Sequence, residues 1–152
     1  MKSNGIAFQF DDANNEVSLF PSLVPVGFTD ILIVEDDPTT SQYIKYGINK
    51  TVHHPTRIRS FLSSEKAFTY IMNLKMNNCQ GPALAIVDYL LNGFKDGVWF
   101  CNELKLIFPE TQIILTSTLP YTQIENKLST FKLKPIYWQK PLNLKFINNF
   151  LI

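Results

Sequence analysis

The sequence predicts an α/β protein built around a doubly wound, five-stranded parallel sheet. Short apolar runs begin near residues 31, 57, 83, 112 and 136 of the 152-residue chain, and helical periodicity separates them. This regular spacing fits successive right-handed β-α-β units. The central run is apolar from Ala83 to Val87 and ends on Asp88, as expected for a strand buried on both faces. Two strand orders fit the spacing, and acids after both the first and the third run favour the order 2-1-3-4-5, which makes those strands neighbours.

The sequence from residue 31 to the central run predicts two strands, each followed by a helix. Ile31–Val34 is a short apolar strand, and a helix should follow from about Thr39 to Thr51. Residues 57–62 alternate like a second strand. Ser63 or Ser64 is then expected to cap the second helix. The side chains that this helix should bury are Ala67, Phe68, Ile71 and Met72.

The second half predicts further helices and two more strands. The apolar face of the third helix should carry Val98, Cys101, Leu104 and Phe108. Gln112–Thr116 is the next strand, and Thr122 with Glu125 forms the capping box that would start the fourth helix. Ile136–Gln139 is the last strand, and Asn143 is expected to cap a final helix. The apolar residues of that final helix are Phe146, Ile147, Phe150 and Leu151.

Residues 1–28 do not follow this pattern and predict an N-terminal extension, which precedes a main domain of residues 29–152. Ile6–Phe10 and Glu16–Phe20 alternate apolar and polar residues, and turn-forming residues 11–15 lie between them. This arrangement is typical of a β-hairpin followed by a connector. An isolated hairpin is only marginally stable in water, so we expect it to pack on the main domain or, alternatively, on a second copy in a homodimer.

Composition excludes several functional classes. The formal net charge is +1, with 14 basic and 13 acidic residues, so charge alone gives no reason to expect nucleic-acid binding. The two cysteines show neither metal-binding spacing nor a disulfide framework. No apolar run approaches the roughly 18 residues of a membrane span, and no secretion signal begins the chain. We therefore expect a cytoplasmic protein that contacts neither nucleic acid nor a membrane.

Polar residues follow four of the five predicted strands. In chain order they are Glu35, Asp36, Asp37, Asp88, Thr116, Ser117 and Lys140. In the order 2-1-3-4-5 they converge on one crevice, where several carboxylates would repel one another unless a cation such as Mg²⁺ bound them. A carboxylate beside a metal can attack phosphorus, while a hydroxyl and a lysine can stabilise the transferring charge. Each residue alone has an ordinary structural explanation, but the joint pattern favours phosphoryl chemistry.

The same residues form short motifs in a fixed order along the chain. They are Glu35-Asp36 after the first strand, Val87–Leu91 around the central acid, Asp96-Gly97, Thr116-Ser117 and Lys140-Pro141. Tyr137 precedes the lysine by three residues. This set resembles the receiver domain of bacterial two-component response regulators, over residues 30–152. The resemblance implies a flavodoxin-like fold.

The resemblance also implies a phosphoacceptor and a metal site. Asp88 would take a phosphoryl group from a phosphohistidine on a histidine kinase or histidine phosphotransfer protein. The domain would catalyse its own phosphorylation and dephosphorylation. Mg²⁺ would be bound by Asp36, Asp88 and the backbone carbonyl of Leu90, with Glu35 acting through water.

A conformational switch is the third implication of the resemblance. Thr116 and Lys140 would bind the phosphoryl oxygens, and movement of Thr116 would let Tyr137 turn inward. Of the two adjacent aromatics, Tyr137 and Trp138, one should point inward and the other outward. The surface around the fourth helix and fifth strand would repack and bind a downstream protein effector.

Three functions remain open from the sequence. The leading one is a stand-alone receiver, because the chain ends within the predicted fifth helix and leaves no room for an output domain. The alternative is a receiver-like interaction domain that is not phosphorylated, against which the intact set of Asp36, Asp88, Thr116 and Lys140 argues. The third is a small flavodoxin-like domain that binds a nucleotide or flavin, but the acids after the first strand would repel a phosphate.

Overall fold

The computed structural model describes residues 29–130, 134–145 and 147. The predicted N-terminal β-hairpin lies outside these residues, as do Phe146, Phe150 and Leu151 of the predicted final helix. Within them, Asn143 Oδ1 accepts a hydrogen bond from Lys145 N at 3.3 Å, as a capping residue would.

A five-stranded parallel sheet forms the centre of the molecule. Its strands are β1 (Thr29–Val34), β2 (Thr56–Phe61), β3 (Leu84–Asp88), β4 (Gln112–Ser117) and β5 (Ile136–Gln139). Their spatial order is β2-β1-β3-β4-β5, which confirms the predicted fold class and strand order. The register pairs Val34 with Val87 and Asp88 with Thr116, so the strands that carry the candidate residues end side by side.

Within the described residues, four helices connect the strands. They are α1 (Pro38–Thr51), α2 (Ser64–Met76), α3 (Gly97–Ile107) and α4 (Tyr121–Thr130). The first three begin at polar N-caps: Asp37, Ser63 and Asp96 each accept hydrogen bonds from backbone amides of the following turn. These caps fix where each helix starts after the carboxyl end of its strand.

Both faces of the sheet are covered by apolar side chains. On one face, α2, α3 and α4 pack against every second residue of the central strands, including Leu32, Val34, Ala85 and Val87. On the other face, α1 and the segment after β5 pack against Ile31, Ile33, Leu84 and Ile86. Because β3 is buried from Leu84 to Asp88, the central acid is embedded in this core rather than placed on a loop.

The predicted face of α2 was partly wrong. Ala67 and Ile71 are buried as expected, but Tyr70 and Leu74 complete the face, whereas Phe68 and Met72 are only half-buried. The helix begins at Ser64, and its buried positions follow at intervals of three and four residues. Phe68 instead packs at the rim of this face, with its ring 5.2 Å from that of Trp99.

Two further boundaries differ from the predictions. The prediction that Thr122 and Glu125 form a capping box was wrong, because α4 begins at Tyr121 and Thr122 lies inside its first turn. The Pro120 carbonyl accepts a bond from Gln123 N at 3.0 Å and opens that turn. In α3, Val98, Cys101 and Leu104 are buried as predicted, while Phe108 follows the helix and is half-buried.

Candidate functional site

Three carboxylates meet at the carboxyl edge of the sheet. Glu35 and Asp36 follow β1, and Asp88 is the last residue of the neighbouring strand β3. Each offers a carboxylate oxygen that lies within 4.8 Å of the other two. Glu35 is 2% exposed and Asp88 is 6% exposed. Two of the three acids are thus almost completely removed from water. A buried charge without a partner is costly.

Lys140 reaches this cluster from the far side of β4. It follows β5 directly, and its backbone N donates to the Ser117 carbonyl at 2.8 Å. Its Nζ donates to Glu35 Oε2 at 2.8 Å and lies 3.3 Å from Asp88 Oδ1. Burial lowers the pKa of Lys140, but the hydrogen bond to Glu35 and the charge of Asp88 outweigh it and raise that pKa above its ordinary value. The lysine is therefore a fixed positive charge between two acids.

Asp88 titrates far above an ordinary aspartate. Burial is the largest cause, and the negative charge of Glu35 adds to it. Attraction to Lys140 offsets only part of this effect, so the pKa of Asp88 rises from 3.8 to about 6. One lysine does not compensate the charge of this cluster.

Thr116 lies beside Asp88 in the sheet register and is fully buried. Its hydroxyl donates to the Val87 carbonyl at 3.4 Å. Its backbone carbonyl accepts a hydrogen bond from Tyr89 N at 2.8 Å. Thr116 is therefore next to the central acid in the sheet, and its hydroxyl makes a long hydrogen bond to a backbone carbonyl.

Tyr137 and Trp138 pack on opposite faces of β5, and both are half-buried. The prediction that one would point outward was wrong, because both faces of the sheet are covered. The Tyr137 hydroxyl donates to the Leu119 carbonyl in the loop before α4. Its ring also lies 5.5 Å from that of Tyr121. Tyr137 thus joins β5 to the beginning of α4.

The loop after β3 folds back over the acids. Its Asn92 N donates to Asp36 Oδ2 at 2.9 Å, and Leu90 is 51% exposed. Gly97, at the start of α3, lies directly over the Asp88 backbone, since an added Cβ would come within 1.9 Å of the Asp88 carbonyl oxygen. The resemblance had singled out Asp96-Gly97 as a motif, but not this packing.

Glu65 is a participant that sequence reasoning missed. It lies in the first turn of α2, and its Oε1 accepts hydrogen bonds from Phe94 N at 3.1 Å and Lys95 N at 3.2 Å. In the sequence it is an ordinary acid near a helix N-terminus, where the helix dipole accounts for it. No pattern signals that its partner is a loop 29 residues away.

The cluster has the chemistry that Mg²⁺ requires. Hard divalent cations select oxygen ligands, and Mg²⁺ is commonly held by one or two carboxylates together with water and phosphate. Glu35, Asp36 and Asp88 supply such oxygens, and the negative charge of Glu35 adds to burial in raising the pKa of Asp88. The residues present therefore fit this ion.

Within the part of the chain that the structure describes, no helix is both long and apolar enough to span a membrane.

Solved receiver structures match most of the chain. DrrB from Thermotoga maritima, an OmpR/PhoB homolog, is 21% identical with a TM-score of 0.60, over 79% of this chain and 49% of DrrB. A CheY-like receiver domain protein from Methanospirillum hungatei JF-1 is 16% identical with a TM-score of 0.65, over 82% of this chain and 90% of that protein. The receiver domain of the Francisella response regulator 1452 is 17% identical with a TM-score of 0.61, over 81% of this chain and 93% of that domain.

This chain thus spans about half the length of full DrrB. No protein-family model matches the sequence, and no curated protein matches it. At these identities the likeness establishes the architecture, and it agrees with the strand order and with the acidic cluster at the carboxyl edge. The chain has the fold of a response regulator receiver domain.

Proposed function

We propose that this protein is a phosphoacceptor in a two-component system or phosphorelay, with Asp88 as the residue that is phosphorylated. The observation that carries the proposal is the meeting of Glu35, Asp36 and Asp88 with Lys140 at one edge of a receiver-type sheet. The donor would be a phosphohistidine on a histidine kinase or a histidine phosphotransfer protein.

The transfer step uses Asp88 as the nucleophile. One of its carboxylate oxygens attacks the phosphorus, and the O–P bond forms as the P–N bond of the phosphohistidine breaks. The electron pair of that bond goes to the imidazole nitrogen, which takes a proton from solvent. Asp88 must be deprotonated to attack, and with its pKa near 6 it is largely ionised at neutral pH. Hydrolysis removes the group: water attacks the phosphorus, the O–P bond to Asp88 breaks, and inorganic phosphate leaves as the carboxylate is restored.

The surrounding residues would bind the transferred group. Asp36, Asp88 and the carbonyl of Leu90 would hold Mg²⁺, with Glu35 acting through water, and the ion would supply positive charge to stabilise the transferring group. Lys140 already lies 3.3 Å from Asp88 and would bind a phosphoryl oxygen by charge.

Thr116 and Tyr137 would form the switch. The Thr116 hydroxyl has only a long bond to a backbone carbonyl, so it can turn toward a phosphoryl oxygen at little cost. This rotation of Thr116 would change the packing between β4 and the loop before α4, whose Leu119 carbonyl accepts a hydrogen bond from the Tyr137 hydroxyl. The surface of α4 and β5 would then select a protein effector through a shift between two states.

The test is intact-protein mass after incubation with acetyl phosphate, in Mg²⁺ and in EDTA. Wild-type protein should gain one phosphoryl group in Mg²⁺ only, and Asp88→Asn should gain none. Asp37→Asn is the matched control, because Asp37 is next to the cluster but caps α1, and asparagine caps helices equally well. It should react like wild type.

A phosphoryl adduct on Asp88→Asn would contradict the assignment of the acceptor. No adduct on wild type, together with unchanged Trp138 fluorescence in beryllofluoride, would instead favour the receiver-like interaction domain that is not phosphorylated.

A further inference from the structure

The loop between β3 and α3, residues 89–96, follows directly on Asp88 and carries the Leu90 carbonyl. In the middle of this loop, residues 92–94 are poorly anchored by their side chains, since all three are exposed and Phe94 is 100% exposed. Leu91 packs into the core near the start of the loop. At the end of the loop, Lys95 lies over the ring of Trp99 and Asp96 pairs with Lys127, so backbone hydrogen bonds chiefly position residues 92–94.

Glu65 provides two of these bonds from a neighbouring helix. Its Oε1 accepts from both Phe94 N and Lys95 N, and a charged acceptor makes such bonds stronger than neutral ones. Gly93 allows the approach in two ways. Its φ of +127° is a conformation that side chains disfavour, and an added Cβ would lie 3.2 Å from Glu65 Oε1.

The same short segment is bonded to the acidic cluster. Asn92 N donates to Asp36 Oδ2 at 2.9 Å, only two residues before the first amide that Glu65 binds. At the other end of the segment, the fully buried Ser64 donates its hydroxyl to the Asp96 carbonyl at 3.2 Å. A displacement of Phe94 would therefore move the Asn92 amide and release Asp36 from its orienting bond.

We propose that Glu65 is a positioning residue for the Mg²⁺ site. It holds the loop so that Asn92 orients Asp36 and the Leu90 carbonyl faces the cluster, and it touches neither the metal nor the phosphoryl group. This inference rests on the proposed function, because it concerns the metal site of that phosphoacceptor. Loss of a group that orients metal ligands without touching the metal commonly weakens metal binding by about a factor of ten or more.

The experiment is an amide NMR titration of the full chain with Mg²⁺, preceded by hydrogen exchange of the same amides in EDTA. Glu65→Ala should weaken Mg²⁺ binding about tenfold. It should also speed exchange at Asn92, an amide that Glu65 does not itself contact. Glu65→Gln keeps an acceptor oxygen and should restore most of both properties. Glu110→Ala is the charge control, because Glu110 is exposed in the turn before β4 at the opposite edge of the sheet, and it should match wild type.

The outcomes separate the two proposals. If wild type binds Mg²⁺ and Glu65→Ala binds it equally well, Glu65 is not a positioning residue and the proposed function stands. If wild type binds no Mg²⁺, the proposed function fails and the positioning role falls with it. If Glu65→Ala does not fold, Glu65→Gln and Gly93→Ala decide. The first should stay near wild-type affinity and the second should lose affinity, and equal affinities for both would overturn the inference.

Discussion

Replacing Asp88 by asparagine should make the metal-free protein more stable at neutral pH, although it removes the central residue of the site. The folded state holds the pKa of Asp88 at about 6, whereas an unfolded chain has the ordinary value of 3.8. Each unit of difference is worth about 1.4 kcal/mol. Because Asp88 is only 6% exposed, solvent screens little of this penalty, and ionised Asp88 should destabilise the fold by about 3 kcal/mol.

The sign of the pH dependence follows from the direction of the shift. The folded pKa is raised, so the folded state binds more protons than the unfolded chain between about pH 4 and 6. The penalty from Asp88 should therefore be absent below its unfolded pKa and be fully present once pH has risen through its folded pKa. The difference in the free energy of unfolding between Asp88→Asn and wild type should grow by about 2 kcal/mol between about pH 4.5 and 7.5.

The assay is urea unfolding in EDTA across this pH range. Asp88→Asn should show the higher free energy of unfolding at about pH 7.5, with the gap closing toward acid. Glu110→Gln neutralises an exposed carboxylate and should show no such gap. Mg²⁺ should then stabilise wild type, by about 1.4 kcal/mol at ten times its dissociation constant, and Asp88→Asn less. Equal stabilities of wild type and Asp88→Asn at neutral pH would refute the claim that Asp88 is held ionised against its environment.

Two further substitutions test the framework around the site. Gly97→Ala should destabilise the protein by about 3 kcal/mol in urea unfolding, because its Cβ would overlap the Asp88 carbonyl oxygen, and a variant as stable as wild type would show that this contact is not tight. Arg57→Leu should cost about 3 kcal/mol or more, because Arg57 Nε and a terminal nitrogen bind Asp30 at 2.7 and 2.6 Å, and removal of one member leaves a buried charge. The double variant Arg57→Leu with Asp30→Leu should recover much of that loss, and no recovery would contradict this explanation.

The strand order and the acidic cluster were predictable because both depend on local pattern and a general rule. Apolar runs of about five residues set the strands, and parallel sheets place their ligand groups at the carboxyl edge. Acids after the first and third runs then sufficed to place Glu35, Asp36 and Asp88 together. No long-range contact had to be known in advance.

The predictions that were wrong or missing concern which face of a helix is buried and which residues a loop approaches. The apolar residues of α2 allow more than one buried face, and packing against the sheet and α3 buries the one with Tyr70 and Leu74. Glu65 could not be recognised, because its partners are backbone amides that any residue would carry. The preference of Lys140 for Glu35 over Asp88 is a difference of half an ångström, which residue types do not specify.

The negative charges that add to burial in raising the pKa of Asp88 are the same charges that favour a divalent cation. Three carboxylates meet one lysine, which leaves two formal negative charges uncompensated in a site where Glu35 and Asp88 are almost fully buried. A monovalent cation would balance half of them, and a divalent cation would balance all of them. The cost that ionised Asp88 imposes on the empty fold is therefore energy that Mg²⁺ binding can recover. A substitution that lowers the pKa of Asp88 by removing negative charge from the cluster should weaken Mg²⁺ binding, and one that raises the pKa by removing positive charge should strengthen binding as long as Asp88 still ionises.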